Sequence, residues 1–129
     1  MRVGARTGMT LPAHGTSSGK VLLAWLDPDE VRRLLPHAKL APLTDRTLTS
    51  RRDLEAHLVQ VRELGYAANF GESEDEVRSV AVPVRDTGGN VRAALAISAP
   101  PSRLDEAAVA GVAAVLKEGA ARISTVLPA

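Results

Sequence analysis

Apolar residues recur along this chain at two different periods, helical in the first half and alternating in the second. Residues 1–13, with Gly4, Gly8 and Pro12 among few apolar side chains, read as a loop or frayed strand, and 1–10 as an arm. At His14-Gly15-Thr16-Ser17-Ser18-Gly19-Lys20 the chain turns into a helix that a Ser or Thr can cap, and the nearly all-apolar Val21 to Leu26 predicts that this helix is buried. A second helix starts at once: Asp27 as N-cap, Pro28 at the first helical position and Glu30 placed for a capping box, with Val31, Leu34 and Leu35 on one face and Pro36 as the stop. Residues 36–49 read as a loop. Ser50 then caps a third helix whose Leu54, Leu58, Val61 and Leu64 recur at i, i+4 and i+7, with Gly65 as its C-terminal glycine.

From Tyr66 onward the period is two. Tyr66 to Phe70, Val77 to Val84 and Val91 to Ala99 predict three strands, the last two joined through the hairpin signal Asp86-Thr87-Gly88-Gly89-Asn90. Side chains alternate across a strand, so Val80, Val82 and Val84 share one face, as do Val91, Ala93, Leu95 and Ile97. The opposite faces carry Val77, Ser79 and Ala81, and Ala94, Ala96 and Ser98. One face is bulky and branched, suited to a core wall. The other is small and slightly polar, suited to the floor of a pocket. Pro100-Pro101 ends the sheet, and Asp105 caps a last helix over about 106–127, whose Val109, Val112, Leu116 and Ile123 form the stripe expected to cover the bulky face. The predicted class is an α+β layered domain, one unit over residues 1–129.

Composition narrows the function. The core must be built from Val, Leu and Ala, because Trp25, Tyr66 and Phe70 are the only aromatics, which also argues against stacking platforms for single-stranded nucleic acid. The net charge is +1 with no long basic run, so no DNA-reading face is evident. There are no cysteines, which excludes disulfides, thiolate metal sites and Cys nucleophiles. No apolar stretch approaches the length of a membrane span, and the first ten residues lack a signal-peptide core, so a cytoplasmic location is expected.

The short motifs that suggest enzymes fail on inspection. A phosphate-binding P-loop needs Gly at position 14 and Ser or Thr at position 21, where His14 and Val21 stand. Ser17-Ser18-Gly19-Lys20 matches S-x-x-K, but the S-D-N and K-T-G companions of the penicillin-binding enzymes are absent. Two readings of Ser17 and Ser18 stay open: they cap the helix, or, with the free N–H groups of a helix start, they hold a carboxylate. His14, His37 and His57 have no spacing that suggests a metal or a triad and read as surface or capping residues. Glu72, Glu74, Asp75 and Glu76 do not have calcium-loop spacing and read as a solvated loop. No catalytic residue, cofactor or metal is expected.

Five blocks, in order, carry a resemblance. Leu11-Pro12-Ala13-His14-Gly15-Thr16-Ser17-Ser18-Gly19-Lys20-Val21-Leu22-Leu23-Ala24 resembles the P-L-H-A-T-A-x-G-K-A-L-L-A stretch of the IclR family of bacterial transcription regulators. Leu43-Thr44-Asp45-Arg46-Thr47 resembles its L-T-x-x-T, and Val61-Arg62-Glu63-Leu64-Gly65-Tyr66 its V-R-x-x-G-Y. Val77-Arg78-Ser79-Val80-Ala81-Val82-Pro83-Val84 resembles V-R-C-I-A-A-P-V, and the block ending Ile97-Ser98-Ala99-Pro100-Pro101-Ser102-Arg103-Leu104 resembles A-L-S-V-S-G-P-x-x-R-L. The resemblance runs over residues 11–127 and covers the later part of the family's effector-binding domain, which has a GAF-like fold with about six strands. The winged helix-turn-helix through which such regulators reach DNA is not in this sequence, nor are the opening helix and strands of the effector domain. The half sheet is expected to be completed by residues lost through truncation or proteolysis, or by another chain, since an unpaired edge is normally covered.

The resemblance implies a sensor of small organic or aromatic acids that works as a homo-oligomer, a dimer or tetramer, with a ligand-free dimerisation module as the other reading. The effector-contacting positions, carried over by motif, are Ser17 and Ser18, Asn69, Val77 and Ser79, and Ala96 and Ser98. Strand parity independently puts Val77, Ser79, Ala96 and Ser98 on the small-residue face. Asn69 stands where some members have Asp, Ser79 replaces a common Cys, Ala96 a common Ser, and Glu76 a usual Gly, so the effector's identity does not transfer.

Overall fold

The computed structural model describes residues 11–129; the expected arm over 1–10 lies outside them. Four helices and three strands follow in the order α1 (Ser17–Ala24), α2 (Pro28–Leu34), α3 (Arg51–Leu64), β1 (Ala67–Phe70), β2 (Arg78–Arg85), β3 (Val91–Ala99) and α4 (Val109–Ser124). Single 3-10 turns at Ala13–Gly15, Pro101–Arg103 and Glu106–Ala108 link them. The strands form an antiparallel sheet in sequence order, with Ser79 opposite both Asn69 and Ser98, and Val80 opposite Ile97. The fold is α+β, as the periodicity requires.

Local chemistry sets the element ends. The Asp27 carboxylate accepts from the Asp29 amide at 2.9 Å and the Ser50 hydroxyl from the Asp53 amide at 3.3 Å, both N-caps. Glu30 does not close the capping box; it pairs instead with Arg33 one turn on. Gly65 ends α3 at φ 77°, a left-handed conformation that favours glycine. In the β2–β3 hairpin the Asp86 carboxylate accepts from the amides of Gly88 (2.9 Å) and Asn90 (3.0 Å), and Gly89 takes φ 87°.

The sheet separates two cores. On its bulky face Val80, Val82 and Val84 pack with Leu104 and with Val109, Ala113, Leu116 and Ala120 of α4. The stripe of α4 is rotated from the expected one: Val112 is half-buried, and Ile123 is 40% exposed while Ala113 and Ala120 turn inward. The small alanines bring the helix close to branched valines, so volume is traded across the interface. On the other face Ala67 and Ala81 pack with Val21, Leu23 and Ala24 of α1, Val31 of α2 and Leu54, Leu58 and Val61 of α3.

Helix α1 is nearly enclosed, as its apolar run predicts, although Leu22 is 43% exposed. Gly19 is required there: a Cβ would lie 2.3 Å from the Ala13 carbonyl oxygen, so only glycine lets the preceding turn pack on the helix. His14 is buried rather than superficial, its Nε2 donating to the Ala41 carbonyl at 2.8 Å.

Leu58, 2% exposed, and Val115, 65% exposed, provide a contrast. Leu58→Ala is expected to lower unfolding free energy by about 2–5 kcal/mol through lost burial and a residual cavity. Val115→Ala is expected to stay within about 0.5 kcal/mol. Urea denaturation checks both; equal midpoints for the two variants would refute this core assignment.

Candidate functional site

Helix α1 has eight residues and so spans only about 12 Å. Beyond its first turn the small face of the sheet is left open, and there a cavity of about 270 Å³ forms. Its lining comes from the start of α1 (Thr16, Ser17, Ser18), from Asn69 on β1, from Ser73 and Val77 in the following loop, from Ser79 on β2, from Ala96 and Ser98 on β3, and from Leu11. All seven positions singled out from the sequence therefore lie around one cavity. Leu11, Thr16 and Ser73 were not among them; Ser73 sits in the acid-rich loop, which has no period from which to place it.

Hydrogen bonds fasten the walls to one another. Ser17 and Ser79 share a buried hydroxyl–hydroxyl bond of 2.7 Å, joining α1 to β2. The helix cap is Thr16, whose Oγ1 accepts from the Gly19 amide at 3.0 Å, so neither Ser17 nor Ser18 is spent on capping. Asn69 is 2% exposed; its Nδ2 donates to the Gly15 carbonyl at 2.8 Å and its Oδ1 accepts from the Glu72 amide at 2.7 Å. The L-T-x-x-T resemblance acquires a physical meaning here. The Thr47 hydroxyl donates to the Glu72 carbonyl at 2.6 Å while accepting from the amides of Leu43 and Thr44, and the Thr44 hydroxyl donates to the Gly71 carbonyl. The two threonines clamp the loop that carries Ser73.

Beneath this wall lies an ion pair. Lys20, 1% exposed, pairs with Glu72, 12% exposed, and also donates to the Ala68 carbonyl at 3.2 Å. Burial holds the Lys20 ammonium below the ordinary lysine value, with the Glu72 charge opposing that shift. Glu72 therefore departs from the solvated reading of the acid run. His57, half-buried nearby, is also held below the ordinary histidine value, by burial first and by the Lys20 charge second.

Among the described residues the lining is of hydroxyls, one amide and apolar carbons, with no charged side chain. Ser17 faces another hydroxyl rather than a base, and Lys20 is committed to Glu72 and the Ala68 carbonyl. The S-x-x-K pair is thus engaged separately, and the arrangement offers hydrogen bonds to a ligand rather than an activated nucleophile. Among the described residues no group of three or more His, Asp or Glu is placed to hold a metal ion, and no helix is long and apolar enough to cross a membrane.

A layered α+β unit with a hydroxyl-lined cavity at a helix start belongs to the class of folds that can hold a small ligand. Comparison with known proteins specifies which. The family model described as bacterial transcriptional regulator IclR C-terminal matches residues 1–125, reaching further toward the N-terminus than the resemblance from residue 11. The chain belongs to the IclR family. It is 42% identical over 124 residues to the HTH-type transcriptional regulator KdgR of Escherichia coli K12, covering 96% of this chain and 47% of that protein. It superposes with a TM-score of 0.89 at 32% identity on the repressor BlcR of Agobacterium tumefaciens, covering 97% of this chain and 51% of that one. It superposes with a TM-score of 0.87 at 31% identity on the inducer-binding domain of a double mutant of PobR from Acinetobacter, solved with 3-hydroxybenzoic acid, covering 96% of this chain and 73% of that one. The chain spans about half the length of the curated relatives it matches.

Two outcomes are expected of the buried ionisable groups near Lys20. Glu72→Gln leaves a buried ammonium without its counter-charge and should lower unfolding free energy by about 3–5 kcal/mol in urea titrations. A loss below about 1 kcal/mol, the scale of an exposed pair, would show that the pair does not fasten the site. For His57 the folded state binds a proton more weakly than the unfolded chain, so stability is retained above about pH 6.5 and falls as pH drops below it. Urea midpoints measured from pH 7.5 to 5 should fall less steeply for His57→Gln than for the wild type.

Proposed function

We propose that this chain is the effector-sensing part of a transcription regulator, not an enzyme, and that its effector is a small organic or aromatic acid held in the cavity at the start of α1. The observation that carries the proposal is the convergence of Ser17, Ser18, Asn69, Val77, Ser79, Ala96 and Ser98 on one neutral cavity. The opening turn of α1 supplies backbone N–H groups that lack intrahelical acceptors and a partial positive charge, and the serine hydroxyls add donors around it. A carboxylate can be held there without a cationic side chain. Val77, Ala96 and Leu11 provide the apolar surface for the rest of the molecule, and about 270 Å³ limits that molecule to a small one. The PobR neighbour, solved with 3-hydroxybenzoic acid, supports an aromatic acid as one member of the class.

The effector acts by preferring one of two arrangements of the regulator, since a ligand shifts an equilibrium only through its differential affinity. The domain, one unit over 1–129, works as a homo-oligomer, a dimer or tetramer, in the cytoplasm, and reaches DNA through a winged helix-turn-helix outside this chain. The other reading, a ligand-free dimerisation module, makes the opposite prediction for ligand binding.

The test is a thermal-shift screen of the full chain against small carboxylic and aromatic acids. A ligand at a hundred times its Kd stabilises the native state by about 2.7 kcal/mol, which for a domain of this size raises Tm by roughly 10 °C. Ser79→Ala and Ser98→Ala are expected to reduce that rise at the same ligand concentration. A screen flat for every acid would favour the dimerisation module.

A further inference from the structure

A second cleft lies at the opposite end of α1, and its chemistry differs from that of the effector cavity. Strand β1 pairs with β2 only as far as Ala81, so Pro83 and Arg85 continue past the end of β1. A cleft of about 480 Å³ opens there. Arg62 enters it from α3, Arg85 from β2 and Lys117 from α4, and Trp25, at the C-terminal end of α1, contributes an aromatic wall. Among the described residues that line it there is no carboxylate.

Each cation is held in place by neutral groups. The Arg62 Nη1 donates to the Ala24 carbonyl at 2.7 Å, and the Lys117 Nζ donates to the Leu64 carbonyl at 2.8 Å and lies 5.5 Å from the Tyr66 ring centroid. The Arg85 guanidinium lies 5.4 Å from the Trp25 ring centroid, and its Nη1 donates to the Gly89 carbonyl at 3.0 Å. Ala24 and Leu64 end α1 and α3, so attraction to helix C-termini accounts for Arg62 and Lys117 taken singly. It does not account for Arg85, nor for all three lining one cleft.

Several cations elsewhere meet carboxylates. Arg32, Arg33, Arg51 and Arg92 are ion-paired with Glu55, Glu30, Glu55 and Asp86. Among the described residues Arg62, Arg85 and Lys117 have no such partner, and neither do Lys39, Arg46, Arg52, Arg78, Arg103 and Arg122; what sets the three apart is that they line one cleft. A guanidinium carries five N–H donors and an ammonium three, and one backbone acceptor on each leaves most of them available.

We propose that this cleft is a second ligand site, for a compact organic polyanion such as a phosphorylated or multiply carboxylated metabolite. Three convergent cations select charge of two or more, and the fork geometry of two arginines suits phosphate and carboxylate oxygens alike. The neutral effector cavity has no such preference. An anion held by Arg62, Arg85 and Lys117 ties α3, β2 and α4 together beside Trp25.

Trp25 is the only tryptophan and so reports on the cleft directly. The experiment is a fluorescence titration of the full chain with pyrophosphate and, separately, with citrate, at ionic strength held constant with sodium chloride. The expected result is a saturable change with at least one of the two, which also shows whether phosphate or carboxylate is preferred. Lys117→Gln, which leaves the Trp25 contact intact, should weaken it about tenfold or more; Arg85→Lys should weaken it less than Arg85→Gln. Val115→Ala, exposed and outside both cavities, should leave it unchanged. A change that never saturates with either anion, or one that Lys117→Gln leaves untouched in a variant with the wild-type urea midpoint, would overturn the proposal.

Discussion

The buried contact between Lys20 and Glu72 is the constraint on which the site rests. Strand β1 is a sheet edge among the described residues, and an edge leaves every second residue with backbone groups that need partners. The bond from the Gly71 amide to the Val77 carbonyl continues the β1–β2 ladder, which makes Asn69 and Ala67 the inward-bonded residues and turns the backbone of Ala68 and Phe70 outward. Those outward groups are the ones that side chains occupy: Lys20 takes the Ala68 carbonyl, and the Glu72 carboxylate accepts from the Phe70 amide at 3.3 Å. One ion pair therefore stands in for a strand. Burying two charges is expensive, and such pairs are better at specifying an arrangement than at adding net stability. Here the arrangement runs onward from Glu72 through Asn69 to Gly15, and from Ser17 to Ser79, along the wall of the cavity.

Helix α1 joins two chemically opposed environments. Its first turn faces hydroxyls and an amide, with no charge in the lining among the described residues; its last residues abut three cations and the indole. Its middle packs against both α3 and the small face of the sheet, where Ala67 and Ala81 let it approach closely. A short, enclosed helix of this kind has little freedom to move one end without the other, because a packed core is stiff to sub-ångström displacement. The same small residues serve both purposes: they seat the helix under its apolar half and leave room for a ligand beyond its first turn.

Several motifs that mark the family turn out to be fasteners rather than ligand contacts. Thr44 and Thr47 hold the loop after β1. Arg78, next to the cavity residue Val77, reaches away from it, donating to the Leu104 carbonyl at 3.0 Å and lying 5.0 Å from the Phe70 ring centroid. Leu104, at the end of the last motif, is 1% exposed and belongs to the core under α4. Gly65 ends a helix and lets the chain enter β1. These residues form a frame, while the cavity is lined by Asn69, Ser79 and Ala96, one from each strand.

The sequence by itself determined the elements and which face of each strand is bulky, because period and parity are properties of neighbouring residues and need no partner. Caps at Asp27 and Ser50, the hairpin at Asp86 to Asn90 and the grouping of Ser79 with Ser98 were legible for that reason. Only the tertiary structure decided what depends on distant segments meeting. It rotated α4 so that Ala113 and Ala120 face the valines, since helix orientation is set by the partner's shape. It made Thr16 the cap and freed Ser17 for Ser79, a partner 62 residues away. It turned Glu72 from a member of an acid run into the counter-charge of a buried lysine, and brought Arg62, Arg85 and Lys117 to one cleft. Charge reads as solvated in a sequence because most charges are; the exceptions are created by burial, and burial is a property of the folded whole.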